Sequence, residues 1–202
     1  MNIALQATYD RIAVDWERHH SVDEWWIPGT DSFLSYIPPN GTLLDVGCGA
    51  GVKAKYAAER GYNVLGTDFS QGQLALARSS VPSARFEKLS MEELDTFTET
   101  FDGVFAQASL LHIPRNDAGE MIKKMARRLN PGGPLYVAVK EVKQVEEEVK
   151  KDDDLGYEYE RFFSYYRMPE LEDFFQKAGL KVFWKEAKPS GRTVWLQIIG
   201  RK

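Results

Sequence analysis

The sequence predicts an α/β fold: a doubly wound, mostly parallel seven-stranded sheet with helices on both faces and an antiparallel hairpin at its C-terminal end. Three observations predict it. From Leu43 onward, short apolar runs of strand length alternate with stretches of helical periodicity, the signature of successive βαβ units. The first strand breaks into Gly47-Cys48-Gly49-Ala50-Gly51 and a helix follows at once, so chain and turn are built to bring backbone close to a ligand. Near the end, two apolar segments are joined through Pro189-Ser190-Gly191 with no helix between them, which only an antiparallel pair allows.

Taken in order, residues 2–20 space Ile3, Tyr9, Ile12, Ala13 and Trp16 toward one side of a helix. Trp25-Trp26-Ile27-Pro28 follows, and a second helix is expected over Asp31–Tyr36, before Pro38-Pro39. Leu43–Val46 is the first strand, and Val52–Arg60 the helix after the glycine turn. Asn63–Thr67 is the second strand, tipped by Asp68, a carboxylate placed to accept both hydroxyls of a ribose. Ser70 with Gln73 three residues on reads as a capping box opening a helix to about Ser79. Ala84–Leu89, Thr100–Ala108 and Leu135–Val139 are the third, fourth and fifth strands. The helix between the last two runs from Arg115 to Leu129 behind Pro114, with Met121, Ile122 and Met125 inward.

Lys140–Asp154 is dense in charge and reads as a solvated helix or mobile loop. Because it leaves the carboxyl end of the fifth strand, a lid over a ligand is the alternative. A ring-rich stretch, Tyr157–Tyr166, precedes a helix from Met168 to Lys177 that Gly179 closes. Leu180–Lys185 and Val194–Ile199 form the terminal hairpin.

At 202 residues the chain has the size of one domain, here residues 1–202, with 1–40 as a helical cap and 140–167 as an insert. Its formal net charge of −4 disfavours a nucleic-acid partner. One cysteine, Cys48, leaves no internal disulfide and fits a reducing compartment. No leader-like opening and no run of membrane-span length is seen, so a cytoplasmic protein away from membranes is expected. No metal-ligand spacing appears, and no metal is expected.

Asp45-Val46-Gly47-Cys48-Gly49-Ala50-Gly51 and Gly66-Thr67-Asp68-Phe69-Ser70 resemble the first and second motifs of class I S-adenosylmethionine (SAM)-dependent methyltransferases. Phe101-Asp102-Gly103-Val104-Phe105-Ala106-Gln107-Ala108 and Asn130-Pro131-Gly132-Gly133 resemble motifs further along, and the resemblance runs from Gly41 to Gly200. It implies the Rossmann-like methyltransferase fold and SAM as cofactor, with S-adenosylhomocysteine as product. Gly47, Cys48 and Gly49 are then expected along the methionyl part, Asp45 at its amino group, Asp68 at the ribose, and Phe69 against the adenine. Ser90 stands where the family usually carries an acidic residue, and Met91 is placed for the adenine face. Gln107 is expected at the carboxyl end of the fourth strand. Tyr9, in a Y-D-x-x-A pattern, is either a cofactor contact or part of the apolar face of a packing helix.

Sulfonium chemistry leaves the protein to position a nucleophile and exclude water. His112 is the histidine expected at the crevice, either as a general base or as a turn cap; His19 and His20 are expected toward solvent. Trp25, Trp26, Phe162, Tyr165 and Tyr166 form an aromatic wall for the acceptor, or else pack the insert onto the sheet. Lys140 or Arg161 is the candidate anchor for a carboxylate. The expected activity is methyl transfer to oxygen or nitrogen of a small molecule, by a monomer or homodimer. The absence of an N-P-P-Y-type tetrapeptide disfavours the adenine, cytosine and glutamine N-methylating branches. Two other readings remain: a non-catalytic SAM-binding or partner-binding protein, and a nicotinamide-dependent oxidoreductase, which Val52 in place of the third fingerprint glycine disfavours.

Overall fold

The computed structural model describes residues 3–20 and 24–202. A seven-stranded sheet forms its centre, made of β1 (Thr42–Val46), β2 (Asn63–Asp68), β3 (Arg85–Lys88), β4 (Gly103–Gln107), β5 (Pro134–Lys140), β8 (Lys181–Ser190) and β9 (Thr193–Arg201). The order is β3-β2-β1-β4-β5-β9-β8, with β1 to β5 parallel and β9 antiparallel to both its neighbours. Between β1 and β4 the strand order reverses, and such a switch point opens a crevice at the carboxyl ends of the strands.

Period-two alternation divides the core into two layers. Leu44 and Val46 of β1 share one layer with Met121, Ile122 and Met125 of α5 (Arg115–Arg127) and Leu171 and Phe175 of α6 (Met168–Lys177). Leu43 faces the other, with Phe33 of α2 (Ile27–Leu34), Ala54 and Ala57 of α3 (Val52–Ala58), and Leu74 and Ala77 of α4 (Gln71–Ser80). Small alanines let α3 lie close to the sheet, so the glycine turn before it is short and fixed. Asp45 falls between Leu44 and Val46 and is carried into the interior at 2% exposure.

Several sequence expectations need correction. The second helix begins at Ile27 because Pro28 is tolerated in a first turn, where its missing N–H has no partner to lose. The charged run is not helical: residues 141–146 are irregular, and its second half is a strand. That strand is β6 (Glu147–Asp152), paired antiparallel with β7 (Tyr159–Ser164) in a separate two-stranded sheet. Lys151 faces Glu160 at 3.2 Å, an opposite-charge pair that favours pairing, and Asp152 reaches diagonally to Arg161 at 2.7 Å. The capping box at Ser70 is half formed: Ser70 Oγ accepts from the Gln73 N–H at 3.1 Å, while both polar atoms of the Gln73 side chain lack a partner. The remaining cap comes from α1 (Ile3–His20), whose Asp10 carboxylate accepts from Ser70 Oγ at 2.7 Å and from the Gly72 N–H at 2.9 Å. Residue 2 and the side chain of His20 lie outside the described residues. Among the described residues, no helix is long and apolar enough to cross a membrane.

Candidate active site

The glycine turn after β1 engages most of its own donors. Gly47 and Cys48 N–H both bond Thr67 C=O, at 2.8 and 2.9 Å. Gly51 N–H bonds Cys48 C=O at 3.0 Å, and Gly49 N–H bonds the Asp68 carboxylate at 2.9 Å. Gly47 sits at φ 75°, and a Cβ there would lie 2.3 Å from the Ser109 Cβ, so β1 and β4 approach closely only with glycine at this position. A phosphate needs free N–H donors at such a turn. Four of the five in Gly47–Gly51, those of Gly47, Cys48, Gly49 and Gly51, are engaged within the protein.

Two carboxylates stand beside the turn. Asp68 accepts from Gly49 N–H and, at 2.8 Å, from Ser70 N–H. Burial lifts its carboxyl to about 6 despite these donors. Asp45 is more isolated: burial lifts it to about 8, and its Oδ2 has no partner. Eight buried side-chain atoms among the described residues lack a partner, and Asp45 Oδ2, Gln107 Oε1 and both polar atoms of Gln73 line one cavity of about 590 Å³. A buried orphan of this kind costs about 1–3 kcal/mol, so three acceptor oxygens and one amide donor in one place point to a polar ligand that supplies mainly donors.

That cavity continues into a second chamber of about 360 Å³, lined by Leu5, Phe69, Leu89, Met91 and Phe162. Gly47, Asp68, Phe69, Ser109 and His112 border both. One chamber is therefore polar-bottomed, the other apolar, with Asp68 where they join. Ala108, at the end of β4, holds φ 59°, a conformation uncommon for a residue with a Cβ, and it lines the larger chamber.

His112 is buried in a hydrogen-bond chain that fixes its tautomer. Its Nδ1 lies 2.7 Å from Phe162 C=O, which can only accept, so Nδ1 carries the proton. Nε2 then accepts from the Tyr9 hydroxyl at 2.7 Å. Burial and the nearby Arg161 and Lys140 cations depress the imidazole to about 3. A neutral ring with its lone pair occupied and so low a pKa is a poor proton acceptor near neutrality. The geometry makes it a clasp: α1, through Tyr9, and β7, through Phe162, are held together over the crevice.

The two candidate anchors differ. Arg161 is tied to Asp152, stacks at 4.3 Å on Trp16, and acts on the Tyr9 oxygen. The Lys140 ammonium forms no ion pair or hydrogen bond among the described residues. Its Nζ lies 4.1 Å from the Phe163 ring centroid and 5.8 Å from that of Trp195. Such contacts give about 2 kcal/mol when desolvated, against several for burying an ammonium. Burial lowers its pKa to about 8.

Of the residues expected at the site, Tyr9, Trp25, Asp45, Gly47, Cys48, Gly49, Asp68, Phe69, Gln107, His112, Lys140 and Arg161 line the larger chamber, and Met91 lines the smaller. Ser90 lines neither; its Oγ donates to Glu93 at 2.7 Å, capping a 3-10 turn over Met91–Thr96. Trp26 packs edge-on against Tyr56 in the core. The Tyr165 hydroxyl donates to Glu148 at 2.6 Å, and Tyr166 is buried beside α6. Phe162 borders the smaller chamber only. Sequence reasoning missed Gln73, taken for a cap, and Trp195, which lies opposite Lys140 in the β5–β9 register and stacks on Trp25 at 3.9 Å. Alternation along the terminal hairpin was the available signal for Trp195.

Residues 43–133 match the family model of a methyltransferase domain. That stretch is under half of the chain; in it, and in its seven-stranded topology, the chain is similar to methyltransferases. A putative methyltransferase, YqeM, of Bacillus subtilis is 29% identical over 157 residues, covering 71% of this chain and 61% of the relative. A ubiquinone biosynthesis O-methyltransferase of Hahella chejuensis is 35% identical over 103 residues, covering 48% of this chain and 42% of the relative. The chain thus spans between two fifths and two thirds of the length of these two relatives. A solved 1,6-didemethyltoxoflavin-N1-methyltransferase of Burkholderia thailandensis superposes with a TM-score of 0.78 at 19% identity, covering 98% of this chain and 87% of that one. That structure holds its acceptor and S-adenosylhomocysteine.

Proposed function

We propose that the chain is a SAM-dependent methyltransferase acting on an oxygen or nitrogen atom of a small-molecule acceptor. The observation that carries the reading is the acceptor-rich floor of the larger chamber. Asp45 Oδ2 and Gln107 Oε1 are unpartnered acceptors beside a turn most of whose N–H groups are engaged within the protein, which suits a ligand that brings an ammonium. Asp45 would take the amino group of the amino-acid moiety. Asp68, which both backbone donors hold in place, would accept from the ribose hydroxyls. Phe69, Leu89 and Met91 would enclose the adenine in the apolar chamber. When bound, the cofactor supplies an electrophilic methyl group on sulfur.

The chain's own part is positioning and exclusion of water. Tyr9 and His112 clasp α1 to β7, and the 1–40 cap with the 140–167 insert would roof the crevice. No proton transfer is assigned to His112, so the acceptor atom is one that attacks with a lone pair already available or loses its proton to solvent. The chemistry resides in holding that atom in line with the methyl group, an effect able to supply most of the acceleration.

A thermal shift assay tests the reading. S-adenosylhomocysteine at about one hundred times its Kd should stabilise the protein by about 2.7 kcal/mol, and NAD should leave it unchanged. Stabilisation by NAD and none by S-adenosylhomocysteine would overturn it.

A further inference from the structure

Lys140 and the two tryptophans beside it define the acceptor end more narrowly. Lys140 is the last residue of β5, aimed from the carboxyl edge of the sheet into the larger chamber. Two cations, Arg161 and Lys150, and two carboxylates, Asp152 and Glu148, act on it. Both cations are engaged with Asp152, at 2.7 Å for Arg161 and closely for Lys150, while Glu148 accepts from Tyr165. Those four charges balance, so the ammonium of Lys140 is left as the uncompensated one. Glu17 and Asp154 also line the chamber; Asp154 accepts from Tyr159, and neither pairs with Lys140 among the described residues.

Beside this charge lies a flat surface. Trp25 and Trp195 stack with planes 4° apart, both line the chamber, and Trp195 is the cross-strand neighbour of Lys140. Phe163 covers the ammonium from the other side at 4.1 Å. A half-buried ammonium with no ion-pair partner among the described residues, seated at the edge of parallel rings, is complementary to a planar ring carrying an anionic substituent.

We propose that the methyl acceptor is a planar aromatic carboxylate, its carboxylate held by Lys140 and its ring lying along the Trp25–Trp195 face. This rests on the methyltransferase reading given above. Lys140 is then a specificity-determining residue and takes no part in moving the methyl group.

The test uses the whole chain saturated with S-adenosylhomocysteine, whose own affinity is measured first by calorimetry. Tryptophan fluorescence then follows titration with benzoate, 4-hydroxybenzoate and 2-naphthoate, each beside its neutral amide, in the unaltered protein, Lys140→Met and Lys140→Arg. The expected result is at least tenfold tighter binding of one or more carboxylates than of the matching amide. Lys140→Met should bring the ratio to near one, and Lys140→Arg should restore it in part. Equal affinity for every acid and amide pair, or a preference that persists in Lys140→Met, overturns the proposal. If S-adenosylhomocysteine binds in both variants while no carboxylate preference exists, the acceptor assignment falls and the cofactor reading stands. If the preference exists in protein that shows no affinity for S-adenosylhomocysteine, the anion site stands and the cofactor reading falls.

Discussion

Asp45 and Asp68 carry the most direct consequences at the level of single residues. Asp45 is raised to about 8 in the folded chain against about 4 unfolded. A raised carboxyl binds its proton more tightly when folded, so its contribution to stability is full below about pH 4 and is lost as pH rises toward 8. Asp68, raised to about 6, follows the same sign over a lower window. Replacing Asp45 with Asn removes the titration. The melting temperature of Asp45→Asn should therefore gain on that of the unaltered protein between pH 5 and pH 8.5, while affinity for S-adenosylhomocysteine drops about tenfold through loss of the charge-assisted bond. A gap between the two melting curves that stays constant with pH would refute the placement. His112 acts in the opposite sense: depressed to about 3, it contributes stability that is lost as pH falls from about 6.5 toward 3. Tyr9→Phe strips the partner from its Nε2 and should cost about 1–3 kcal/mol, read by urea unfolding at pH 7.

The elements that position the site are local in origin but depend on contacts from far along the chain. Helix α4 begins on Ser70, as its sequence indicates, yet Asp10 of α1 completes the cap. Asp10→Ala should cost about 1 kcal/mol in denaturant unfolding and should weaken S-adenosylhomocysteine binding, since α1 also brings Tyr9 to His112. A loss of stability with unchanged binding would separate the helix cap from the site. Here the limits of the sequence are physical. Strands β1, β2, β4 and β5 were legible because both their faces are buried, and doubly buried strands write themselves as apolar runs. The β6–β7 hairpin was not. Its outer side is solvated, and the matches of Lys151 with Glu160 and Asp152 with Arg161 across its ladder are ones that a one-dimensional reading of a charge run does not reveal. Gln73 was hidden for a different reason: at the third position of a helix its type suggests a cap, and only the fold shows that Asp68 takes the Ser70 N–H.

Across the whole molecule, the strand order β3-β2-β1-β4-β5-β9-β8 places the glycine turn, the tip of β2 and the end of β4 on one edge. Motifs separated by tens of residues in sequence thereby share one crevice, and this much was readable from Asp45–Gly51, Asp68 and Gln107 alone. The acceptor end was readable only in part. Lys140 and Arg161 looked equivalent in sequence, and the ion pair with Asp152 is what distinguishes them. The central claim is that the glycine turn and two buried carboxylates hold an adenosyl amino acid. Isothermal titration with S-adenosylhomocysteine tests it most directly. The account predicts one site with micromolar or tighter affinity, and at least a hundredfold loss in Asp68→Ala, whose circular dichroism should stay unchanged. Undiminished affinity in a folded Asp68→Ala, or no binding heat in the unaltered chain, would contradict it.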